Sequence, residues 1–259
     1  MPRKDLKNKP LVEAMLELRW VLPDQPRPGI QPAPHYRLLL GRFSERAERT
    51  YPVHEPLPTA EIPDGMVAHM VQHRFRVAEN DWPLLQIGPG IMTVNDTAGY
   101  TWTGFQKRCE EAVSHLFGAH PARQDFRVQD LTLRYVDAVA FDFNAANIFD
   151  FLRDKMKTTL ALPTSLFEDA DIRPDPSVFN WEASFNHNDP GGTITLRFAT
   201  GERDGAPSLI WQTLVKTAGD DLPGLPTGFP AWLKAAHEIT DDWFFKLIEG
   251  ELERTFSGD

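Results

Sequence analysis

Apolar and polar residues alternate from Leu11 to Leu22. Val12, Ala14, Leu16, Leu18, Trp20 and Leu22 stand in one phase, and Glu13, Glu17 and Arg19 in the other. A period of two marks a strand with one buried face. The pattern returns over Val128–Phe141, where Leu131-Thr132-Leu133-Arg134-Tyr135-Val136 nearly repeats Leu16-Glu17-Leu18-Arg19-Trp20-Val21. Such a repeat predicts one strand used twice, and with it a duplicated fold.

Each strand opens a similar series. After the first comes a loop with Pro23, Pro26, Pro28, Pro32 and Pro34, too proline-rich for regular structure. Tyr36, Leu39, Leu40, Phe43 and Ala47 then recur at helical spacing. A second proline-rich loop, Tyr51–Pro63, leads to strand-like pieces at Val71–Ala78, Leu84–Ile87 and Ile91–Asn95. A helix follows, carrying Phe105, Cys109, Ala112, Val113, Leu116 and Phe117.

In the second half, Ile148, Phe151, Leu152 and Met156 form the helical stripe, and a Pro- and Asp-rich loop runs from Pro163 to Pro176. Strands are predicted at Val178–Asn186, Thr193–Ala199 and Ser208–Lys216, the first two joined by the turn-forming run Asn188–Gly192. One long helix from Phe229 to about Phe256 ends the chain. Residues 1–120 and 121–259 thus each read strand, helix, three strands, helix. The predicted fold class is α+β: a single pseudo-symmetric domain with a curved antiparallel sheet backed by helices. Its element order is analogous to the TATA-binding-protein-like and sliding-clamp saddles, an analogy that carries no function.

The alternation also assigns side chains to faces. With the apolar phase against the helices, the open face carries Glu13, Glu17, Arg19, Gln72, Arg74, Arg76, Asp130, Thr132, Arg134, Asn180, Glu182, Ser184, Thr195, Arg197 and Gln212. Its cations are mainly arginines, whose planar forks suit carboxylate, phosphate or stacked bases. The leading functional expectation is a non-enzymatic binding module, with Glu13, Glu17, Arg19, Arg74, Arg76, Arg134 and Arg197 engaging a protein or an anionic ligand such as a nucleotide or nucleic acid. Against it stands the plainer expectation that opposite charges on a solvated sheet face pair across strands.

Charge narrows the partner. A formal net charge of −10 disfavours a surface built throughout for nucleic acid. Apolar content of 41% with 25% charged residues is that of a globular protein with an ordinary core. One cysteine, Cys109, allows no internal disulfide, and the first residues lack the apolar core of a signal peptide. No apolar run approaches the ~18 residues of a membrane span. The expected setting is cytoplasmic, without a membrane.

Few motifs carry chemistry, and no cofactor or metal is expected. Ile87-Gly88-Pro89-Gly90 runs on into the strand-like Ile91-Met92-Thr93-Val94, so it reads as a hairpin turn rather than a phosphate loop. His69 and His73 are four apart, but Met70 stands where a zinc-peptidase motif needs glutamate; both read as ordinary half-buried histidines. Cys109 lies on an apolar stripe and reads as core packing. His237-Glu238 is read as opening the last helix and bridging it to a neighbouring loop. That helix also carries Phe244, Phe245, Ile248, Leu252 and Phe256, more apolar surface than one sheet face usually covers.

Several stretches resemble a sporadically distributed family of uncharacterised bacterial proteins of about this length. They are Asn8-Lys9-Pro10-Leu11-Val12-Glu13-Ala14 with Glu17-Leu18-Arg19, Gln86-Ile87-Gly88-Pro89-Gly90 with Thr93-Val94-Asn95, Tyr100-x-Trp102-x-x-Phe105, Leu133-Arg134-Tyr135-Val136-Asp137, and Ala236-His237 with Phe244. Asp137 departs from the pattern, which has asparagine there. The resemblance spans the chain and implies no activity or cofactor; its patchy distribution hints at defence-linked genes. Two alternatives stand beside the binding module. One is a hydrolytic enzyme with a site between the halves, using Glu13, Glu17 or His73. The other is a homodimer or larger homo-oligomer assembled through the last helix.

Overall fold

The computed structural model describes residues 6–22, 35–97, 99–168 and 172–258. The loop expected over Pro23–Pro34 lies outside them, as do residues 169–171 of the loop expected over Pro163–Pro176. The elements are β1 (Leu11–Trp20), α1 (Tyr36–Ala47), β2 (Val53–Pro56), β3 (His73–Arg76), β4 (Leu84–Gly88), β5 (Ile91–Asp96), α2 (Trp102–Ala119), β6 (Val128–Ala140), α3 (Ile148–Lys155), β7 (Asn180–Asn188), β8 (Gly191–Arg203), β9 (Ala206–Ala218), α4 (Phe229–Ile248) and α5 (Glu251–Ser257). The strands form one antiparallel sheet in the order β2-β3-β4-β5-β1-β6-β9-β8-β7, so the fold is α+β as expected.

The two strands of near-identical spelling lie side by side at its centre. Leu16 pairs with Leu133, Leu18 with Leu131, and Glu17 with Thr132. Glu17 and Thr132 occupy the same place in the repeated stretch. The register is therefore the one that a local two-fold axis between them would impose. To one side of the seam run β5, β4, β3 and β2, and to the other β9, β8 and β7.

One face of this sheet is apolar, and the helices cover it. Leu16, Leu18, Phe75, Leu85, Val94, Leu131, Leu133 and Val215 form a core with Leu39 and Phe43 of α1, Phe105, Cys109 and Leu116 of α2, and Trp232 and Leu233 of α4. A second core gathers Phe198, Leu209 and Trp211 with Ile148 and Leu152 of α3, Ile248 of α4, and Leu252 and Phe256 of α5. Trp243 of α4 packs against both. Thr101 caps α2 by accepting a bond from the Gly104 amide (3.3 Å), and Asn147 caps α3 through the amides of Phe149 and Asp150. Among the described residues no helix is long and apolar enough to cross a membrane.

Two expectations change. The Tyr51–Pro63 stretch contributes the edge strand β2, whose Pro56 is tolerated because an edge position leaves one side of the ladder empty. The last helix is two: Gly250, at φ 108°, turns the chain between α4 and α5. Of the surplus apolar residues of that region, Ile248, Leu252 and Phe256 are buried in the second core, and Phe244 and Phe245 pack against it partly buried.

The hairpin between β4 and β5 shows why its glycines are needed. A Cβ on Gly88 would stand 1.8 Å from the Met70 carbonyl oxygen, and Gly90 sits at φ +81° against the His69 ring. The seam supports the whole sheet, so Leu16→Ala and Leu133→Ala should each lower stability by about 2–5 kcal/mol. The double variant should depart from additivity because the two side chains are neighbours. Urea denaturation monitored by far-UV circular dichroism gives both quantities.

Candidate functional site

The open face holds the predicted residues. Register places Glu13, Glu17, Arg19, Arg74, Arg76, Arg134 and Arg197 opposite the helices. Much of that face satisfies itself. Glu17 pairs with Arg19 at 2.8 Å, and Glu55 of β2 takes both Arg76 (3.0 Å) and Arg74 (3.7 Å). Asn95 donates to Glu13 at 2.7 Å and joins a chain through Thr93 to Gln86, whose amide oxygen accepts from Arg74. Asp130 lies 3.6 Å from Lys216. Gln72 is buried away from the face, donating to the carbonyls of Thr59 and Ile62. Asp130 and Thr132 keep the expected parity but are buried.

Arg134 and Arg197 differ from the other arginines. Among the described residues neither makes an ion pair. Arg197 donates to Asn180 at 3.2 Å, and the Arg134 Nε is buried without a hydrogen bond. With Glu182, Thr195, Gln212 and Leu214 they line a hollow of about 280 Å³.

The residues named for a hydrolytic site are not brought together. Glu13 and Glu17 are on the open face, bonded to Asn95 and Arg19. His73 points to the helix side near the far edge, 3.1 Å from His54, and burial beside His54 lowers its pKa. His69 lies in a turn, its Nε2 3.1 Å from the Trp20 carbonyl oxygen. Cys109 is fully buried, which pushes its thiol pKa well up.

On the helix-covered face, a cavity of about 580 Å³ opens between α2 and α4 above β6. Five separate stretches of chain build it. The N-terminal segment gives Lys9 and Pro10, and the start of α2 gives Tyr100 and Trp102. β6 gives Tyr135 and Asp137, β9 gives Thr213, and α4 gives His237, Asp241 and Phe244 at helical spacing. His237 sits two turns inside α4 and faces this cavity, where the sequence placed it at the helix start.

A hydrogen-bonded chain runs along one wall. The Tyr100 and Tyr135 hydroxyls are 3.0 Å apart, and the Tyr135 hydroxyl is 3.0 Å from Nδ1 of His237. The Trp102 ring stacks on His237 with centroids 3.6 Å apart and planes at 14°. Lys9 Nζ donates to the Tyr100 carbonyl at 3.1 Å, tying the N-terminal segment to this wall. Burial raises the pKa of both phenols, so each stays a neutral hydroxyl that can donate and accept. When Tyr135 donates to Nδ1, the proton of neutral His237 sits on Nε2.

The floor holds two further polar groups. Thr213 is 2% exposed, and among the described residues its hydroxyl makes no hydrogen bond. Asp137 is 3% exposed; burial pushes its carboxyl up to about 8, with Arg203 opposing. Tyr135, Asp137 and Thr213 share the phase of Leu131, Leu133, Trp211 and Val215, which otherwise packs the core. Polar residues in the apolar phase were the signal available in the sequence. Four of the five stretches named for the family resemblance contribute to the lining: Lys9, Pro10 and Leu11 from the first, Tyr100 and Trp102, Tyr135 and Asp137, and His237 with Phe244.

Comparison with known proteins assigns no family: no family model matches the chain, and no curated protein matches it in sequence. Among the described residues no cluster of three or more His, Cys, Asp or Glu could hold a metal ion.

The Asp137 carboxyl gives a pH-dependent stability of known sign. Its folded pKa lies above its ordinary value of 3.8, so the folded state holds the proton more tightly. The stabilisation is complete below pH 3.8 and is lost as pH rises through about 8. Asp137→Asn, of the same shape but without charge, should therefore match the parent near pH 4 and exceed it by roughly 2–5 kcal/mol at pH 9. Urea midpoints across that range measure the gap.

Proposed function

We propose that this protein is a binding module whose principal site is the cleft between α2 and α4, occupied by a small organic molecule. One observation carries the reading. A cavity of ligand size is walled by aromatic rings and floored by a Thr213 hydroxyl that has no hydrogen-bond partner among the described residues. Ligand sites are concave, mostly apolar and furnished with a few convergent polar groups. A buried hydroxyl left unbonded costs free energy, which a bound polar atom would recover. The reading keeps the binding-module expectation and moves its centre from the open face to the helix side.

The two halves are best understood as copies of one unit. The repeated spelling of β1 and β6 and the seam register both support that view. A cleft where two such units meet draws residues from both, so occupancy would join them. The family of uncharacterised bacterial proteins remains the resemblance to pursue, because its motif pieces line this cavity.

A fragment library screened by ligand-observed NMR against the whole chain tests the reading. Hits should shift the His237 imidazole signals and be lost in both Thr213→Phe and Trp102→Ala. Hits that bind these variants as well as the parent, or that leave His237 unmoved, would sink it.

The hollow between Arg134 and Arg197 supports a second reading, an acidic partner docked on the open face. These two arginines are the ones that the sheet's own carboxylates leave without an ion pair among the described residues. Arg134→Ala with Arg197→Ala should then abolish association with an anionic partner recovered by pull-down, while Arg74→Ala, already paired with Glu55, should weaken it less than about threefold.

A further inference from the structure

We propose that the cleft selects organic cations bearing N–H donors, an ammonium or amidinium group, with the Asp137 carboxylate as counter-ion. This rests on the cleft being the ligand site and adds the class of molecule it takes.

The charges around the cavity point that way. Asp137 is almost wholly buried at its floor and, among the described residues, makes no ion pair. Arg203 acts on it only from a distance: its guanidinium donates to the Pro10 carbonyl at 3.0 Å and lies 3.8 Å from Asp204. Glu238 and Asp241 add two further carboxylates from α4. Of the basic groups, Lys9 is bonded to the Tyr100 carbonyl, and Lys234 sits 3.8 Å from Glu238. An anionic ligand would meet Glu238 and Asp241 on one wall, with Lys9 and Lys234 as the basic groups, and a third carboxylate once Asp137 ionises. A cation would supply the partner that a buried carboxylate requires.

The neutral groups fit the same class. Thr213 lies diagonally across the β6–β9 ladder from Asp137 on the same face, so its hydroxyl can accept a second N–H from one ligand group. Tyr100, Trp102, Tyr135 and Phe244 put aromatic rings around the space, and ring faces attract a desolvated cation. An amidinium offers two parallel donors, the fork that a carboxylate accepts best.

Binding involves a balanced proton exchange. In the empty cleft Asp137 is held largely as the acid, because its charge would be uncompensated. When the cation enters, the Asp137 O–H bond breaks and its proton passes to solvent. The carboxylate then accepts the ligand N–H groups. Besides the carboxylates and cations above, Tyr135 of β6, Tyr100 and His237 of α4 are the titratable groups facing this exchange. Burial keeps both phenols neutral, so they do not compete for the cation's charge.

The test is calorimetric titration of the full chain with benzamidinium and with its uncharged isostere benzamide, from about pH 6 to about pH 9. Benzamidinium should bind at least about tenfold tighter at the upper end. Its affinity should rise by up to about tenfold per pH unit until about pH 8 and then level off. Titrations in buffers of different ionisation enthalpy should show one proton released per ligand below that pH. Asp137→Asn should erase both the preference and the pH slope, whereas Thr213→Val should weaken binding but keep the preference. If benzamide binds as well or better, with affinity falling as pH rises, the neutral acid is the recognising group. The cation proposal then fails while the cleft stands as a site. Binding of neither probe would also overturn the proposal, and the fragment screen would decide separately whether the cleft binds anything.

Discussion

At the middle of the sheet, Leu16 and Leu18 of β1 lie against Leu133 and Leu131 of β6, and every other element is placed by that contact. The four leucines are fully buried, so the seam is both a ladder of backbone hydrogen bonds and the base of the larger core. Because side chains alternate along a strand, fixing this register fixes which residues of all nine strands meet the helices. A slip of one position would put Glu17, Arg19 and Arg134 into the core. The burial cost of those charges is what holds the register.

The same register divides the molecule into two chemical faces. On the open side, charged and amide groups lie close enough to neutralise one another, and from Glu55 to Glu17 they largely do. On the helix side the polar groups that interrupt the apolar layer are matched by a helix, as Asp96 is by Arg108 of α2 and Thr217 by Trp232 of α4. Above Tyr135, Asp137 and Thr213, by contrast, a cavity opens between α2 and α4. Polar groups there have no cross-strand neighbour of opposite charge to meet. Their needs are met by one another, as with Tyr100, Tyr135 and His237, or left open, as at Thr213.

Strand alternation made the sheet legible in the sequence. Residues such as Phe75, Phe198 and Trp211 fell on the correct face because a two-sided environment imposes a two-residue period. β2 was hidden, since four residues ending in proline show no period and their pairing partner lies in a distant strand. The break at Gly250 was masked by apolar residues continuing at helical spacing into α5. The cleft was only half legible. Its motif residues could be listed, but their convergence depends on how far α4 stands from α2, a distance that no local pattern encodes. Asp137 and Thr213 were marked by their phase, and that mark is easily passed over in strands whose other face is rich in charge.

The two ends of the sheet are not equivalent. β2 closes one end with four residues, a proline and Glu55, and offers an incoming strand almost nothing to pair with. β7 closes the other with nine residues, a single carboxylate at Glu182, and Phe185 half exposed. A long, nearly uncharged edge with an exposed aromatic is the kind of template on which strands from other molecules add. Self-association through misfolding would therefore be polar in direction, growing from the β7 end while the β2 end stays capped.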